Sequence, residues 1–240
     1  MMSMKKILYT LLFVLVCSAC QNEVELPQYE SPVLDLGISR AGVSTGLPID
    51  DDLAIKILDD KGDVYIQYSA GRVPKKIVLS PGVFTAVVYT ENQTTWMNEN
   101  DGLGAPCYYG TAQLEMGFDQ VVYLNMQVPM TNYAVTLTLP DLFEKLFYAH
   151  SLSLISGTRS VSIKNGQKAY FSAADGGFTY KLSATNTDNK TNHSSAITYK
   201  NVENGKLYNM NYYYGTDANS GGLDIEITDD METEDTDVPL

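Results

Sequence analysis

Apolar and polar residues alternate with a period of two along most of the chain after residue 32. In the first such run, Leu34, Leu36 and Ile38 share one face and the intervening residues occupy the other. This is the period of a β-strand that has one buried face. In the first half of the chain, the pattern predicts strands at residues 33–39, 53–58, 64–68, 76–80, 83–89, 107–110 and 120–128.

The alternation is interrupted at Pro129, Met130 and Thr131 and then resumes. Short strands separated by Gly, Asn and Asp turns are typical of β-sandwiches. We therefore expect an all-β chain with two tandem β-sandwich domains, at residues 32–129 and 130–228, followed by an acidic tail at 229–240. The predicted strands of the second domain are 133–139, 151–155, 160–164, 169–172, 178–185, 195–201, 207–214 and 223–228.

Two segments depart from the strand pattern. Residues 91–106 are polar and rich in Asn, and they contain Trp96, the single tryptophan of the chain. A segment of that length predicts a long surface loop, and long loops are often functional. Residues 141–147 favour one or two helical turns, with Asp141 as the N-cap.

The chain begins with a targeting signal. Lys5 and Lys6 precede an apolar run at residues 7–16, which is too short for a membrane span of roughly 20 residues. Cys20 follows Ser18 and Ala19, which resembles a bacterial lipobox and implies that the Cys20 thiol carries a diacylglycerol. We therefore expect a lipoprotein signal peptide at residues 1–19 and a lipidated tether at 20–31. The alternative is an ordinary secretory signal that contains a cysteine.

The formal net charge of −13 excludes one class of partner. No basic patch is evident in the sequence that could bind a phosphate backbone, so we expect no nucleic-acid binding. An anionic lipid surface would also repel the chain, and the N-terminal lipid would hold it at the membrane. Beyond the leader and lipobox cysteines only Cys107 remains, and such a residue is more often a buried small hydrophobe than a nucleophile.

The chain resembles the fimbrillin-like cell-adhesion lipoproteins of the Bacteroidetes. The likeness is carried by the lipobox, the opening strand 33–39, the run 77–86 with its Pro-Gly turn, and the strand start 108–110. It implies sandwiches of transthyretin-like or immunoglobulin-like topology, a role in surface adhesion, and other fimbrial subunits as partners. The acidic stretch 21–25 after Cys20 resembles the export tag of Bacteroidetes lipoproteins, which implies a lipid anchor in the outer membrane with the protein exposed at the cell surface.

Some fimbrillins are matured by proteolysis after an arginine near the first strand. On this resemblance, Arg40 is the candidate processing residue. The alternative is a solvated arginine at the end of a strand.

Catalysis finds little support in the sequence. His150 and His193 are the only histidines, and they do not form a metal-ligand spacing. The acidic stretches 98–101 and 217–222 do not complete a calcium-binding loop. We expect no enzyme, no cofactor and no metal site.

Glycan binding is the alternative function. Sugars stack on exposed aromatic faces beside polar groups, and Trp96 with Asn98 fits that chemistry, as does the tyrosine run 212–214. Against this, the tryptophan could cap the end of a sandwich and alternate tyrosines could face the core. The sequence thus favours a non-enzymatic surface lipoprotein of the adhesion class, as a fimbrial component or anchor, over a glycan-binding surface lipoprotein.

Overall fold

The computed structural model describes residues 30–41, 53–91, 93–186, 188–214 and 223–230, and within them the chain is almost entirely β-structure. The strands of the first half are β1 (Val33–Ala41), β2 (Leu53–Leu58), β3 (Val64–Tyr68), β4 (Lys76–Val78), β5 (Gly82–Thr90), β6 (Tyr109–Met116) and β7 (Val121–Pro129).

The second half carries nine strands within the described residues. They are β8 (Tyr133–Thr138), β9 (Phe147–Ser156), β10 (Arg159–Ile163), β11 (Lys168–Phe171), β12 (Gly177–Asn186), β13 (Thr191–His193), β14 (Ile197–Lys200), β15 (Leu207–Tyr214) and β16 (Leu223–Asp230). One short α-helix, α1 (Phe143–Leu146), lies between β8 and β9.

The first sandwich packs the sheet β4-β1-β7 on the sheet β3-β2-β5-β6. Leu34 of β1, Ile77 of β4 and Val128 of β7 contribute fully buried side chains from one sheet. Ile55 of β2 and Val88 of β5 contribute from the other, and both have no exposed surface. The alternating residues of the sequence pattern are therefore the inner faces of two stacked sheets.

The second sandwich packs the sheet β10-β9-β12, which continues into β13 and β14, on the sheet β11-β8-β15-β16. Its core is rich in aromatic rings. Tyr133 of β8 stacks on Phe171 of β11 at 5.7 Å and meets Tyr208 of β15 edge-on at 5.7 Å. The fold is thus all-β with tandem β-sandwiches, as the sequence predicted. The division at residues 129/130 stays a prediction.

Each sandwich contains one parallel strand pair that local patterns did not indicate. β1 runs parallel to β7 over nine residues, from Val33 opposite Val121 to Ala41 opposite Pro129. β8 runs parallel to β15 from Ala134 opposite Leu207. Parallel neighbours require a long connection, so their pairing is a property of the whole sandwich and not of any hairpin.

Three local predictions need correction. The helix is shorter than predicted, and its N-cap position is Leu142 without a side-chain cap, so Asp141 does not cap it. The predicted strand 195–201 is the shorter β14, and β13 before it was not predicted; both pair with β12. β16 extends to Asp230, so the first two residues of the predicted tail belong to the sheet.

Candidate functional site

The first strand, β1, is held in the centre of its sheet. It pairs antiparallel with β4 over three residues and parallel with β7 over nine. Leu34 is completely buried, and Leu36 and Ile38 are half-buried against the first core. Removal of β1 would therefore open a groove between β4 and β7 that is lined by apolar side chains.

Arg40 continues the inward face of this strand. Because β-strand side chains alternate, residue 40 points the same way as Leu34, Leu36 and Ile38. Its side chain is only 6% exposed, and the guanidinium carbon lies 5.9 Å from the centre of the Tyr108 ring. The alternative of a solvated arginine at a strand end is wrong. A protease could reach the bond after Arg40 only once this end of β1 had left the sheet.

Residues 93–106 of the predicted loop fold around Trp96. Two 3-10 turns, Trp96–Asn98 and Asn100–Gly102, fold the segment back so that the Ala105 amide donates to the Trp96 carbonyl at 2.9 Å. Trp96 is 8% exposed and belongs to the first core, whereas Asn98 is exposed. The two candidate glycan residues lie in the same 3-10 turn, but the tryptophan presents little surface for a sugar to stack on.

Arg159 ties this loop to the second sandwich. Its guanidinium donates to the carbonyls of Met97 at 2.9 Å and Gly102 at 2.6 Å, and it lies 5.6 Å from the centres of the Trp96 and Phe171 rings. Burial lowers the pKa of the Arg159 guanidinium from its ordinary value. No local sequence pattern indicates this contact, because the residues that meet are about sixty positions apart.

An open cleft of about 300 Å³ lies beside Trp96, between the two sandwiches. Tyr109, 43% exposed, is its accessible aromatic side chain. The side chain of Asn132 connects the walls of the cleft. Its Oδ1 accepts from the Cys107 amide at 3.0 Å, and its Nδ2 donates to the Ala105 carbonyl at 2.9 Å. The remaining lining residues are Gln93, Trp96, Cys107, Thr131 and Ser172. Sequence reasoning selected Trp96 but missed Tyr109 and Ser172.

The Cys107 thiol is a poor nucleophile in this setting. It is 4% exposed, and burial raises its pKa although the Thr90 hydroxyl donates to the sulfur at 3.6 Å. Among the described residues, no three His, Cys, Asp or Glu side chains gather in a way that could hold a metal ion. His150 packs edge-on against Phe143 at 5.7 Å, far along the chain from His193.

Cys20 and the stretch 217–222 both lie outside the described residues. Of the tyrosine run 212–214, Tyr212 is 7% exposed and Tyr213 is 46% exposed, which is the alternation of a strand with one face on the core. Within the described residues, no helix is long and apolar enough to cross a membrane.

The model of one protein family, described as a domain of unknown function (DUF4493), matches residues 32–240. No curated protein matches the chain. Among solved structures, the chain is similar to a candidate cell adhesion protein from Bacteroides uniformis, with 12% identity, a TM-score of 0.49, and coverage of 85% of this chain and 99% of that one.

Two further solved structures are similar at a comparable level. A fimbrial assembly protein from Parabacteroides distasonis has 9% identity and a TM-score of 0.45, with 84% of this chain and 99% of that chain covered. A candidate polysaccharide-binding protein (DUF1812) from Bacteroides thetaiotaomicron has 7% identity and a TM-score of 0.42, with 85% and 98% covered. The structural neighbours are thus named as cell adhesion, fimbrial assembly and polysaccharide-binding proteins of the Bacteroidetes.

Proposed function

The chain belongs to the DUF4493 family, whose description gives no activity, and we propose that it is a non-enzymatic surface lipoprotein that acts in cell adhesion as a fimbrial component or anchor. In this proposal, Cys20 carries the lipid that holds the protein in the outer membrane. The sandwiches then face outward, where other fimbrial subunits can reach them.

The observation that carries the proposal is the position of β1. It is the first strand after the tether, yet it fills the centre of a sheet with the buried side chain of Leu34. Strand addition is a known way for subunits to join, because main-chain hydrogen bonds give affinity and pockets for alternate side chains give specificity. Because β1 precedes the other described strands, it can leave its sheet without cutting a loop between them; β4 and β7 then lose their pairing partner, and a partner's strand can take the place of β1.

The test uses an Arg-specific protease on a chain with the Arg72→Lys substitution, because Arg72 lies in an exposed turn and would be cut as well. Cleavage after Arg40 should give a species that oligomerises or binds a peptide of residues 33–39, measured by mass in solution. The control carries Arg40→Lys in addition. Its remaining arginine, Arg159, is held by the Met97 and Gly102 carbonyls, so the control should stay intact and monomeric. A cut product that remains a monomer and ignores the peptide would show that the first strand is not exchanged.

A second candidate function, glycan binding, draws support from the cleft beside Trp96. Its accessible aromatic side chain is Tyr109, and the hydroxyl and amide groups of Thr131, Ser172 and Gln93 lie around it. Such a combination of an aromatic face and polar groups suits a sugar. Tyr109→Ala should then abolish binding to a polysaccharide array and leave the melting temperature nearly unchanged. Tyr123→Ala, at a tyrosine that is 71% exposed elsewhere, is the matched control.

A further inference from the structure

The outer face of the sheet formed by β9, β10, β12, β13 and β14 differs in charge from the rest of the chain. The chain has 29 acidic and 16 basic residues, yet these five strands contain no Asp or Glu. They contain Arg159, which turns toward the Trp96 loop, and Lys181 and Lys200. A surface without carboxylates on so acidic a chain is electrostatically suited to an anionic partner.

Hydroxyl groups make up most of the same face, in which the side chains of Ile155 and His193 also point outward beside them. The strand register places Ser162, Ser153 and Lys181 in one row across β10, β9 and β12. The outward residues that carry hydroxyl groups are Ser151, Ser153, Ser160, Ser162, Thr179, Ser183, Thr185, Thr191 and Thr198.

Two pairs of these hydroxyls bond to each other across strands. Thr179 and Thr198 are 2.8 Å apart, and Thr185 and Thr191 are 2.9 Å apart. In each pair one hydroxyl donates to the other, so one proton and several lone pairs remain for a ligand. These hydroxyls are therefore held in position, and the face can both donate and accept hydrogen bonds.

The cations follow a bent diagonal across this face. Lys181 and Lys200 are exposed on β12 and β14, and Lys164, directly after β10, continues the outward positions of Ser160 and Ser162. From the usual strand spacing and rise, the neighbouring lysine Cα atoms along this diagonal are roughly 12–14 Å apart. No carboxylate of the sheet competes for them. A linear polymer with repeated negative charges could contact all three at once.

We propose that this face, defined by Lys164, Lys181, Lys200 and the nine hydroxyl residues, binds an anionic polysaccharide that lies flat across the strands. The lysines pair with the carboxylate or sulfate groups of the polymer, and the serine and threonine hydroxyls bond to its hydroxyls. This inference names a partner class for the proposed surface role. The face belongs to the second sandwich, whereas β1 belongs to the first. A failure of polysaccharide binding would therefore leave strand exchange and the lipid anchor unaffected.

The test measures binding of the purified full chain to polygalacturonate. Methyl-esterified polygalacturonate tests the need for negative charge, and polyglutamate tests the need for a sugar. Lys181→Ser should weaken binding about two- to fivefold, and the triple variant at Lys164, Lys181 and Lys200 about tenfold or more. Added salt should reduce the affinity of the unsubstituted chain and change that of the triple variant less.

Lys61→Ser, at an exposed lysine in the turn between β2 and β3, is the matched control and should bind as the unsubstituted chain does. Serine extends the hydroxyl surface, and an unchanged melting curve confirms that each variant is folded. Two results would overturn the proposal: polyglutamate that binds as tightly as polygalacturonate, or a loss of affinity in Lys61→Ser equal to that in Lys181→Ser. Either would show that any polyanion is attracted to any lysine of the chain. Self-association that the triple variant abolishes would also overturn it, since the acidic C-terminal segment of a second copy would then be the occupant.

Discussion

The guanidinium group of Arg40 lies over the ring of Tyr108, with 5.9 Å between the guanidinium carbon and the ring centre. Tyr108 is fully buried and Arg40 is 6% exposed. A cation over an aromatic ring is stabilised by the negative face of the ring, and the effect is larger when water is excluded. The residue that resembles a processing site is therefore also a packing residue of the first sandwich, and it fixes the end of β1.

We expect the folded chain to be cut after Arg72 at least about tenfold faster than after Arg40. Arg72 lies in an exposed turn, whereas cleavage after Arg40 requires local opening of β1, whose free energy lowers the population of the cleavable state. Limited proteolysis with an Arg-specific protease, followed by mass analysis of early fragments, measures the two rates. Comparable rates at both sites would mean that β1 is not held as described. Digestion in urea is the control, since the two rates should converge there.

The sequence predicted most of the strands because each of these satisfies a local rule, but it missed β13 and the extension of β6 to Met116. The turn between β2 and β3 is an example, since Asp59 accepts from the amides of Lys61 and Asp63 at 2.9 Å, and Gly62 takes a φ of 86°. The end of β1 was misjudged for the same local reason. A polar Arg40 ended the alternation, although its partner strand continues to Pro129. The alternation of side chains along the strand, in which even-numbered residues face inward, would by itself have placed Arg40 on the inner face.

The candidate sites depend on contacts that no local pattern carries. Arg159 meets the loop of Trp96 only because the two sandwiches pack together, and Ser172 reaches the cleft from the second sandwich. The alternating serines of β9 were visible in the sequence, but they look like any solvated strand face. Only the register of β9, β10 and β12 shows that hydroxyls and lysines form one continuous surface.

Labelled palmitate should enter the unsubstituted chain and not Cys20→Ala, because the thiol is the proposed acylation site. Cys20→Ala should also remain unprocessed or appear in the soluble fraction. Cys107→Ala is the matched control and should be labelled normally, since its thiol is buried. Equal labelling of Cys20→Ala and the unsubstituted chain would exclude the lipid anchor.

Gly104→Ala should destabilise the chain more than Gly166→Ala does. Both glycines have positive φ, at 88° and 75°, which costs an alanine roughly 1 kcal/mol or more. Only at Gly104 would the added Cβ also meet other groups, at 3.2 Å from the Arg159 guanidinium and 3.3 Å from the Trp96 ring. Urea unfolding of the two variants measures the difference, which reports the packing between the loop and Arg159. Equal losses would mean that this packing contributes nothing.

Stability should fall as the pH rises from about 10 to 12, in part through Tyr133. Burial raises the pKa of Tyr133 to about 12 from an ordinary value near 10. Above pH 10 the unfolded chain loses this proton while the folded chain keeps it, so the free energy of unfolding decreases. The contribution of Tyr133 to the free energy of unfolding that is lost in this range is on the order of 2 kcal/mol.

The Tyr133 hydroxyl explains this pH dependence and supplies its control. It donates to Ser156 at 3.1 Å, since Ser156 itself donates to the Gly177 carbonyl at 2.7 Å. Tyr133→Phe should flatten the decline between pH 10 and 12 in urea titrations, whereas Tyr123→Phe, at a ring that is 71% exposed, should not. An unchanged slope in Tyr133→Phe would assign the alkaline loss to other groups, such as Tyr212, whose pKa burial also raises.

Trp96→Ala should lower the free energy of unfolding by about 3–5 kcal/mol, the usual cost of truncating a buried aromatic side chain. Trp96 is 8% exposed, packs in the first core and lies beside Arg159, so its removal leaves a cavity and takes a cation–π partner from the guanidinium. Urea unfolding measures the loss. Met97→Ala, at the neighbouring residue that is 43% exposed, is the control and should cost less than about 1 kcal/mol.

Trp96→Ala and Tyr109→Ala together separate a core tryptophan from a sugar-binding one. If Trp96 is a stacking platform, Trp96→Ala abolishes binding to a polysaccharide array while the stability hardly changes, because an exposed ring contributes little to folding. If it is a core residue, the stability falls and any loss of binding follows from unfolding. A third case remains, in which Trp96 supports the wall of the cleft but does not contact the ligand. Tyr109→Ala tests this case. Binding that is lost in Tyr109→Ala at unchanged stability would locate the glycan on the exposed tyrosine.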